Sequence, residues 1–189
     1  MNLLLHICCA PCAIYPLKVL RDEGHQVTGY FYNPNIHPFY EYRKRLDTLL
    51  DYAEKVNLPL IVSEDYPLED YMRAVVFRES SRCEPCYHLR LDRTAQIAGE
   101  DGFDGFTSTL FYSKFQNHFA VKEIAETLSR EKGPLFYYLD FRVGWKEGIA
   151  RSKELKMYRQ QYCGCLFSER ERYMGQRPDY KNLPGSTGA

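Results

Sequence analysis

Apolar and β-branched runs alternate along the chain with segments whose apolar residues recur at helical spacing. The runs are short and apolar throughout, which is typical of strands buried on both faces. They cover approximately residues 3–7, 27–32, 60–62, 103–110 and 135–141. Helical spacing covers approximately residues 13–23, 39–56, 67–78, 87–100, 116–130 and 152–161. The alternation predicts an α/β fold with a mainly parallel sheet of about five strands flanked by helices.

The length and composition favour one globular domain. The chain has 189 residues, of which 44% are hydrophobic and 26% are charged, as in ordinary globular proteins. It contains no internal repeat and no linker within its body. We expect a single catalytic domain over residues 1–181 and a flexible tail over residues 182–189, where Pro, Gly and Ser accumulate.

The chain shows no signal for export. Residues 1–6 lack the basic and apolar regions of a signal peptide, and no stretch approaches the roughly 18 apolar residues of a membrane span. We therefore expect a cytoplasmic protein without a membrane partner. Disulfides rarely persist in that compartment, so its seven cysteines point to metal or redox chemistry.

The cysteines fall into three groups. These are Cys8, Cys9 and Cys12, then Cys83 and Cys86, then Cys163 and Cys165. The first group follows a predicted strand and enters a predicted helix. Ligands of parallel α/β sheets gather outside the carboxyl ends of the strands, and a helix N-terminus favours the thiolate. We therefore expect the three groups to converge at the carboxyl edge of the sheet.

The spacing leaves the identity of the metal open. A structural zinc or a four-cysteine iron–sulfur cluster each uses four thiols and leaves three unexplained. Adjacent Cys8 and Cys9 should point in different directions, which favours two neighbouring metals, or one metal and a substrate. The one-residue gap of Cys163-Gly164-Cys165 is too tight for a common zinc knuckle. A structural zinc with additional buried thiols and a thioredoxin-like dithiol remain as alternatives.

The first strand-to-helix turn argues against nucleotide activation. In ATP-using α/β folds this turn is rich in glycine, which lets backbone amides approach phosphate. Here the turn reads Cys8-Cys9-Ala10-Pro11-Cys12 and contains no glycine.

Charge is balanced overall but uneven along the chain. The 25 basic and 25 acidic side chains give a net charge of +0, whereas residues 141–181 hold ten Lys or Arg and five Asp or Glu. This segment indicates either a modest basic surface or an ordinary solvated helix face.

Several longer motifs carry a resemblance to a known family. They are Leu4-Leu5-His6-Ile7-Cys8-Cys9-Ala10-Pro11-Cys12, Gly29-Tyr30-Phe31-Tyr32-Asn33-Pro34-Asn35-Ile36-His37-Pro38, Arg82-Cys83 with Cys86-Tyr87 and Arg90-Leu91, Gly102-Phe103-Asp104, Asp140-Phe141-Arg142, Gly144-Trp145, and Tyr158-Arg159-Gln160-Gln161-Tyr162-Cys163-Gly164-Cys165. On these motifs, which span roughly residues 3–173 in order, the chain resembles the cobalamin-independent epoxyqueuosine reductases, the QueH family.

The resemblance implies a fold and an activity. The fold is similar to the adenine-nucleotide α-hydrolase-like (PP-loop-like) group without its ATP loop. The activity is the last step of queuosine synthesis, in which the epoxide on the modified wobble base of a tRNA anticodon is reduced to an alkene with loss of water. The implied partners are tRNA and an external one-electron donor such as ferredoxin or flavodoxin.

The resemblance also implies a 4Fe-4S cluster and a second mononuclear iron. Candidate cluster ligands are Cys8, Cys9, Cys83, Cys86, Cys163 and Cys165. Candidate metal ligands are all seven cysteines together with Asp104 and Asp140. Four thiolates for a cluster leave three, enough with one carboxylate to hold another iron. Either aspartate is equally well explained as a helix cap.

Candidate proton donors for the reaction are His6, His37, Tyr32 and Tyr112. His6 shares the strand face of Cys8, although a hydrogen-bonded core histidine explains it slightly better. His37, in a turn between prolines, should be exposed and available to substrate.

RNA binding would use the basic residues Arg142, Lys146, Arg151, Lys153, Lys156, Arg159, Arg170 and Arg172. Trp145 is a candidate for base stacking. Two other functions compete: a zinc-stabilised RNA-binding module, and a cluster-dependent tRNA thiolation enzyme, which should carry the absent glycine-rich loop.

Overall fold

The computed structural model describes residues 1–63 and 65–174, and within them it forms one five-stranded parallel sheet flanked by helices. The strands are β1 (Asn2–His6), β2 (Gln26–Phe31), β3 (Leu60–Val62), β4 (Gly105–Ser108) and β5 (Leu135–Phe136). The helices are α1 (Ala10–Asp22), α2 (Phe39–Lys55), α3 (Leu68–Val75), α4 (Cys83–Glu100), α5 (His118–Lys132), α6 (Trp145–Glu154) and α7 (Leu166–Met174). The predicted α/β class is confirmed. The predicted tail, residues 182–189, lies outside the described residues.

The sheet is built around β1, in the order β3-β2-β1-β4-β5. Leu3, Leu4 and Leu5 are completely buried, because helices cover both faces of a parallel sheet. The chain moves from β1 towards β3 on one side and towards β5 on the other. The crevice between β1 and β4 is therefore the point where the strand order reverses, the usual position of a ligand site in such sheets.

Helices α1 and α4 begin earlier than their apolar spacing predicts. The first turn of α1 contains Pro11, whose fixed φ and missing N–H suit a helix start. Helix α4 begins at Cys83 instead of near residue 87. As a result Cys12 and Cys86 lie on first turns of helices, where the helix dipole favours negative charge.

The predicted helix over residues 152–161 is wrong. Helix α6 covers Trp145–Glu154 instead, and Lys156 has a positive φ of 51°, a left-handed conformation that cannot continue a helix. The side chains of Leu155 and Met157 pack against the main core from an irregular segment. Their apolar character therefore reflects this packing and does not indicate a helix. Helix α7 was not predicted.

The strand predictions were too long at both β4 and β5. Strand β4 ends at Ser108 and continues into a short 3-10 helix, Thr109–Tyr112, and a second short 3-10 helix covers Phe141–Gly144.

In the described part of the chain no helix is long and apolar enough to cross a membrane.

Candidate metal centre

Three thiols meet where β1 passes into α1. The Sγ atoms of Cys8, Cys9 and Cys12, the thiol triad, all lie within 4.8 Å of one another, and those of Cys8 and Cys9 are 3.8 Å apart. The expectation that Cys8 and Cys9 point apart is wrong, because the two sulfurs lie in contact where the strand passes into the helix through Cys9, its N-terminal flanking residue. Two thiolates on one tetrahedral ion with bonds of about 2.3 Å are about 3.8 Å apart, so the triad fits a single metal ion.

Hydrogen bonds give the triad one preferred thiolate. Those from Cys12 and Cys9 hold the pKa of Cys8 well below its usual range, despite burial. The Thr109 hydroxyl also donates to Cys8 Sγ at 3.4 Å. Burial raises the pKa of Cys9, and the hydrogen bonds to Cys8 and Cys9 raise that of Cys12. A metal that binds all three sulfurs therefore displaces the protons of Cys9 and Cys12.

The other four thiols form a second group, the thiol tetrad: Cys83, Cys86, Cys163 and Cys165. Cys86 and Cys165 belong to one buried cluster. Burial, with smaller contributions from negative charge on Cys163 and Cys165, raises the pKa of Cys86 to about 12 against the opposing effect of Arg90. Burial also raises the pKa of Cys83, with a contribution from Cys165. These mutual effects place the start of α4 near residues 163–165, although in the described part of the chain only the triad forms a group of sulfurs within 4.8 Å of one another.

Arg90 links the triad and the tetrad. It lies one turn after Cys86 on α4 and is 2% exposed, with its Nη1 3.9 Å from Cys86 Sγ. In the described part of the chain its Nε has no hydrogen-bond partner. Burial acts to lower the pKa of Arg90, but negative charge on Cys86, Cys8 and Cys163 raises it overall. The buried Arg90 charge therefore faces cysteines of both groups, and of these Cys8 is the one whose pKa is lowered.

Arg45 holds the segment that carries Cys163. Its Nη1 donates to the Cys163 carbonyl at 2.8 Å, its Nη2 donates to the Tyr162 carbonyl at 3.1 Å, and its Nε donates to Glu41 at 2.7 Å. Gly164 has a φ of 146°, and a Cβ there would lie 3.1 Å from the Asn35 side chain. The tight Cys-Gly-Cys turn therefore depends on glycine and on this arginine.

Sequence reasoning missed several residues that contact the sulfurs. Gln160 donates to Cys9 Sγ at 2.9 Å, and Gln116 donates to Cys163 Sγ at 3.4 Å. Of these residues, only Arg45 could have been predicted to be buried and paired, because it is a charged residue among the apolar positions of α2, four residues after Glu41. The other contacts depend on the folded path of loops, which periodicity does not reveal.

The two candidate histidines are both buried. His6 Nδ1 lies 2.8 Å from the Ser108 hydroxyl and its Nε2 lies 3.2 Å from the Tyr32 carbonyl, the arrangement of a hydrogen-bonded core histidine. Burial and the Arg90 charge lower the pKa of His6 to about 3. His37 is 3% exposed, so the expectation of an exposed histidine is wrong. Its ring packs 5.1 Å from that of Tyr71, and burial lowers its pKa.

Of the two candidate tyrosines, Tyr112 lies beside the triad. Its ring packs on Trp145 with centroids 5.2 Å apart, and its hydroxyl donates to the Trp145 carbonyl at 3.2 Å. Burial raises the pKa of Tyr112, with contributions from Cys12 and Cys9. Tyr32 is half-buried and stacks on Tyr30; burial raises its pKa as well.

The two candidate aspartates both have other partners in the structure. Asp104 precedes β4, and its carboxylate accepts from the Asn2 backbone N–H at 2.6 Å. It therefore lies at the amino edge of the sheet, opposite the cysteines, and its predicted place at a strand end is wrong because β4 begins after it. Asp140 caps the second 3-10 helix and pairs with Arg142, in agreement with the capping alternative.

The predicted basic residues lie on and around α6 and α7. Arg142 is paired with Asp140 and Arg151 with Glu154, while Arg170 lies over the ring of Phe167. Arg177 and Lys181, which add to the local charge, lie outside the described residues.

Comparisons with known proteins agree with these features. The sequence matches the family model described as Epoxyqueuosine reductase QueH over residues 3–171. A protein of that name from Dehalococcoides mccartyi is 40% identical over 172 residues, covering 91% of this chain and 94% of the relative. The one from Thermotoga maritima is 37% identical over 181 residues, covering 90% and 92%. The one from Histophilus somni is 34% identical over 181 residues, covering 90% and 73%.

Proposed function

Because this chain belongs to the epoxyqueuosine reductase QueH family, we propose that it reduces the epoxide of epoxyqueuosine, at the wobble position of a tRNA anticodon, to the alkene of queuosine. The reaction consumes two electrons and two protons and releases the epoxide oxygen as water. The enzyme is thus an oxidoreductase of queuosine synthesis. It acts where tRNA is found, in the cytoplasm, with a one-electron donor such as ferredoxin or flavodoxin.

The observation that carries this proposal is a buried guanidinium that interacts with cysteines of both thiol groups. Arg90 is almost fully buried, and interactions with Cys86, Cys8 and Cys163 raise its pKa against the effect of burial. A fixed positive charge beside these sulfurs would stabilise them as thiolates when they bind iron, whose thiolate ligands stay deprotonated. Seven thiols exceed the four ligands of one structural zinc.

The two groups of thiols match two different centres. The tetrad would supply the four thiolates of a 4Fe-4S cluster, and the triad would hold a mononuclear iron through three thiolates. When bound, these groups would supply one-electron chemistry and Lewis-acid polarisation of the epoxide oxygen. Asp104 lies at the wrong edge for either centre, and Asp140 would have to leave Arg142 to serve as a ligand.

The protein's own groups orient the sulfurs and hold charge. The Thr109 hydroxyl and the Gln160 amide donate to Cys8 and Cys9 Sγ, which fixes the triad from two sides. Hydrogen bonds around ligands tune both geometry and electron density. Arg90 supplies a fixed positive charge between the two groups, where it stabilises negative charge during electron transfer.

Tyr112 is the proton donor that the geometry favours among the four candidates. Its raised pKa keeps the phenol protonated, and Gly148 lets α6 pack directly against the hydroxyl, since a Cβ there would lie 2.3 Å from it. His6 has its ring nitrogens engaged.

Replacing Tyr112 with phenylalanine should lower single-turnover reduction by roughly 10²-fold or more, the usual contribution of a positioned acid. Iron content should stay unchanged, because the ring still packs on Trp145. Tyr32→Phe is the matched control and should retain most activity. Full activity in Tyr112→Phe would remove this residue from the reaction.

The activity itself is tested with protein purified without oxygen. We expect about five irons per chain, from one cluster and one further iron, and visible absorption from sulfide-bridged iron. With a chemical reductant, this protein should convert epoxyqueuosine in tRNA to a nucleoside lighter by one oxygen, as measured by mass spectrometry of the digested RNA. The chelated and zinc-reloaded protein is the control. A colourless, inactive protein that holds only zinc would instead support the zinc-stabilised RNA-binding module.

A further inference from the structure

An exposed aromatic residue projects beside the thiols. Phe115 is 84% exposed, although a large apolar side chain gains free energy by leaving water. The loop that carries it follows the 3-10 helix Thr109–Tyr112 and precedes α5. The neighbouring residue, Gln116, donates to Cys163 Sγ at 3.4 Å. Phe115 is therefore the exposed ring next to a side chain that contacts the tetrad.

Hydrogen bonds hold this loop in place on both sides of Phe115. The Phe115 N–H donates to the Ser113 hydroxyl at 3.2 Å, and the Asn117 N–H donates to the Tyr87 hydroxyl at 3.1 Å. The Asn117 side chain caps α5 by accepting from the Ala120 N–H. The exposed ring therefore stands on an ordered backbone, and a ligand that stacks on it need not order the loop first.

Aromatic contacts connect Phe115 to the triad. Its ring meets that of Trp145 edge to face with centroids 5.8 Å apart, and Trp145 packs in turn on Tyr112. Tyr112 is buried in the same core cluster as Cys9 and Cys12. The row of rings formed by Phe115, Trp145 and Tyr112 thus runs from the surface to the sulfurs.

Positive charge lies next to this row. Lys114 Nζ lies 5.9 Å from the centroid of the Trp145 ring, and Lys146 follows Trp145 and is exposed. Among the residues described, neither lysine forms an ion pair, unlike Lys18 and Lys122. Exposed aromatic rings beside unpaired lysines are the combination that binds single-stranded RNA, through base stacking and phosphate contacts.

We propose that Phe115, Trp145, Lys114 and Lys146 form a stacking platform for the anticodon loop, on which Phe115 stacks with an unpaired base next to the modified one. This inference rests on the proposed function, because it takes tRNA as the substrate. It assigns contacts that recognise the RNA, separate from the groups that carry out the reduction. Trp145, predicted from sequence to stack on a base, supports Phe115 from behind.

The test measures the affinity of a fluorescent anticodon stem–loop RNA for the iron-loaded protein at several salt concentrations. Phe115→Ala should weaken binding roughly 5- to 150-fold, the range for loss of one stacked base, with an unchanged salt slope. Phe115→Tyr should bind as the wild type does, whereas Phe115→Leu should resemble the alanine variant. Lys114→Ala should reduce the salt slope by about one.

Phe119→Ala is the matched control. Phe119 is also a phenylalanine, is 86% exposed and lies four residues further along, but it starts α5 and takes no part in the row of rings. It should retain wild-type affinity. Equal losses in Phe115→Ala and Phe119→Ala, or an unchanged affinity in Phe115→Ala, would overturn the platform. The platform would also be overturned if Phe115→Ala bound RNA normally but no longer accepted electrons from a donor protein. That result would assign the surface to binding of the electron donor.

Failure of the platform can be told apart from failure of the proposed function. If the wild-type protein reduces epoxyqueuosine and the Phe115→Ala variant binds RNA normally, only the proposed platform is refuted. If RNA binding depends on Phe115 but the wild-type protein does not reduce the epoxide, only the proposed reductase activity is refuted.

Discussion

Replacing Cys86 with serine is expected to remove both visible absorption and turnover, whereas replacing Cys12 with serine removes turnover and leaves most of the colour. The two thiols lie on first turns of different helices and belong to different groups, the tetrad and the triad. Loss of one cluster ligand should lower iron by about four per chain, and loss of one triad ligand by about one. Reduction should fall by at least roughly 10²-fold in both variants.

Metal analysis and absorption of protein purified without oxygen provide the measurement. Thr48→Ala is a suitable control, because Thr48 lies on α2 and its hydroxyl bonds only to the Lys44 carbonyl of the same helix. The division into tetrad and triad would be wrong if Cys12→Ser also lost about four irons, because Cys12 would then be a cluster ligand.

The second large effect concerns the buried ion pair of α2. Replacing Arg45 with methionine should lower the free energy of unfolding by about 3–5 kcal/mol, the usual cost of leaving one buried charge without its partner. The Arg45 and Glu41 side chains are 1% and 9% exposed. Loss of Arg45 also leaves two carbonyls, those of Tyr162 and Cys163, without their donor. Iron content should fall as well, because Cys163 loses its support.

Urea unfolding of the iron-free protein measures the stability change, and metal analysis of the iron-loaded protein measures the effect on the site. The chain offers a matched control in Arg43 and Asp47, which pair at 3.0 Å on the same helix with the same spacing but are 60% and 52% exposed. Arg43→Met should change the free energy of unfolding by no more than about 1 kcal/mol. Similar losses in the two variants would contradict a special role for the buried pair.

Local sequence patterns predicted the parts of the structure that depend on local physics. The apolar run Leu3-Leu4-Leu5 predicted a buried strand, because only a central parallel strand buries both faces. The cysteine groups predicted convergence at one edge, because strand ends in a parallel sheet share that edge. Membership of the QueH family, first indicated by the motifs, was confirmed by the comparisons.

The errors came from features that tertiary packing decides. Residues 155–158 have the apolar spacing of a helix, but they form an irregular segment whose side chains pack on the core. Their spacing therefore led to the wrong prediction of a helix. His37 is flanked by turn residues yet is buried by contacts with Tyr71 and with the Gly164 carbonyl, which come from distant parts of the chain. Asp104 was misplaced because a residue at the start of a parallel strand lies at the amino edge of the sheet, whereas the cysteines follow the carboxyl end of β1. The contact of Arg90 with the cysteines left no periodic signal at all.

The distance along the chain between Cys8 and Cys165 has a consequence for biosynthesis. The triad leaves the ribosome near the start of translation, whereas the tetrad is completed only by the segment after α6. Chains emerge from the amino terminus, and domains fold as units, so a nascent chain exposes the triad, and then Cys83 and Cys86, before Cys163 and Cys165 exist. Assembly of the proposed cluster must therefore follow synthesis of the last two tetrad cysteines.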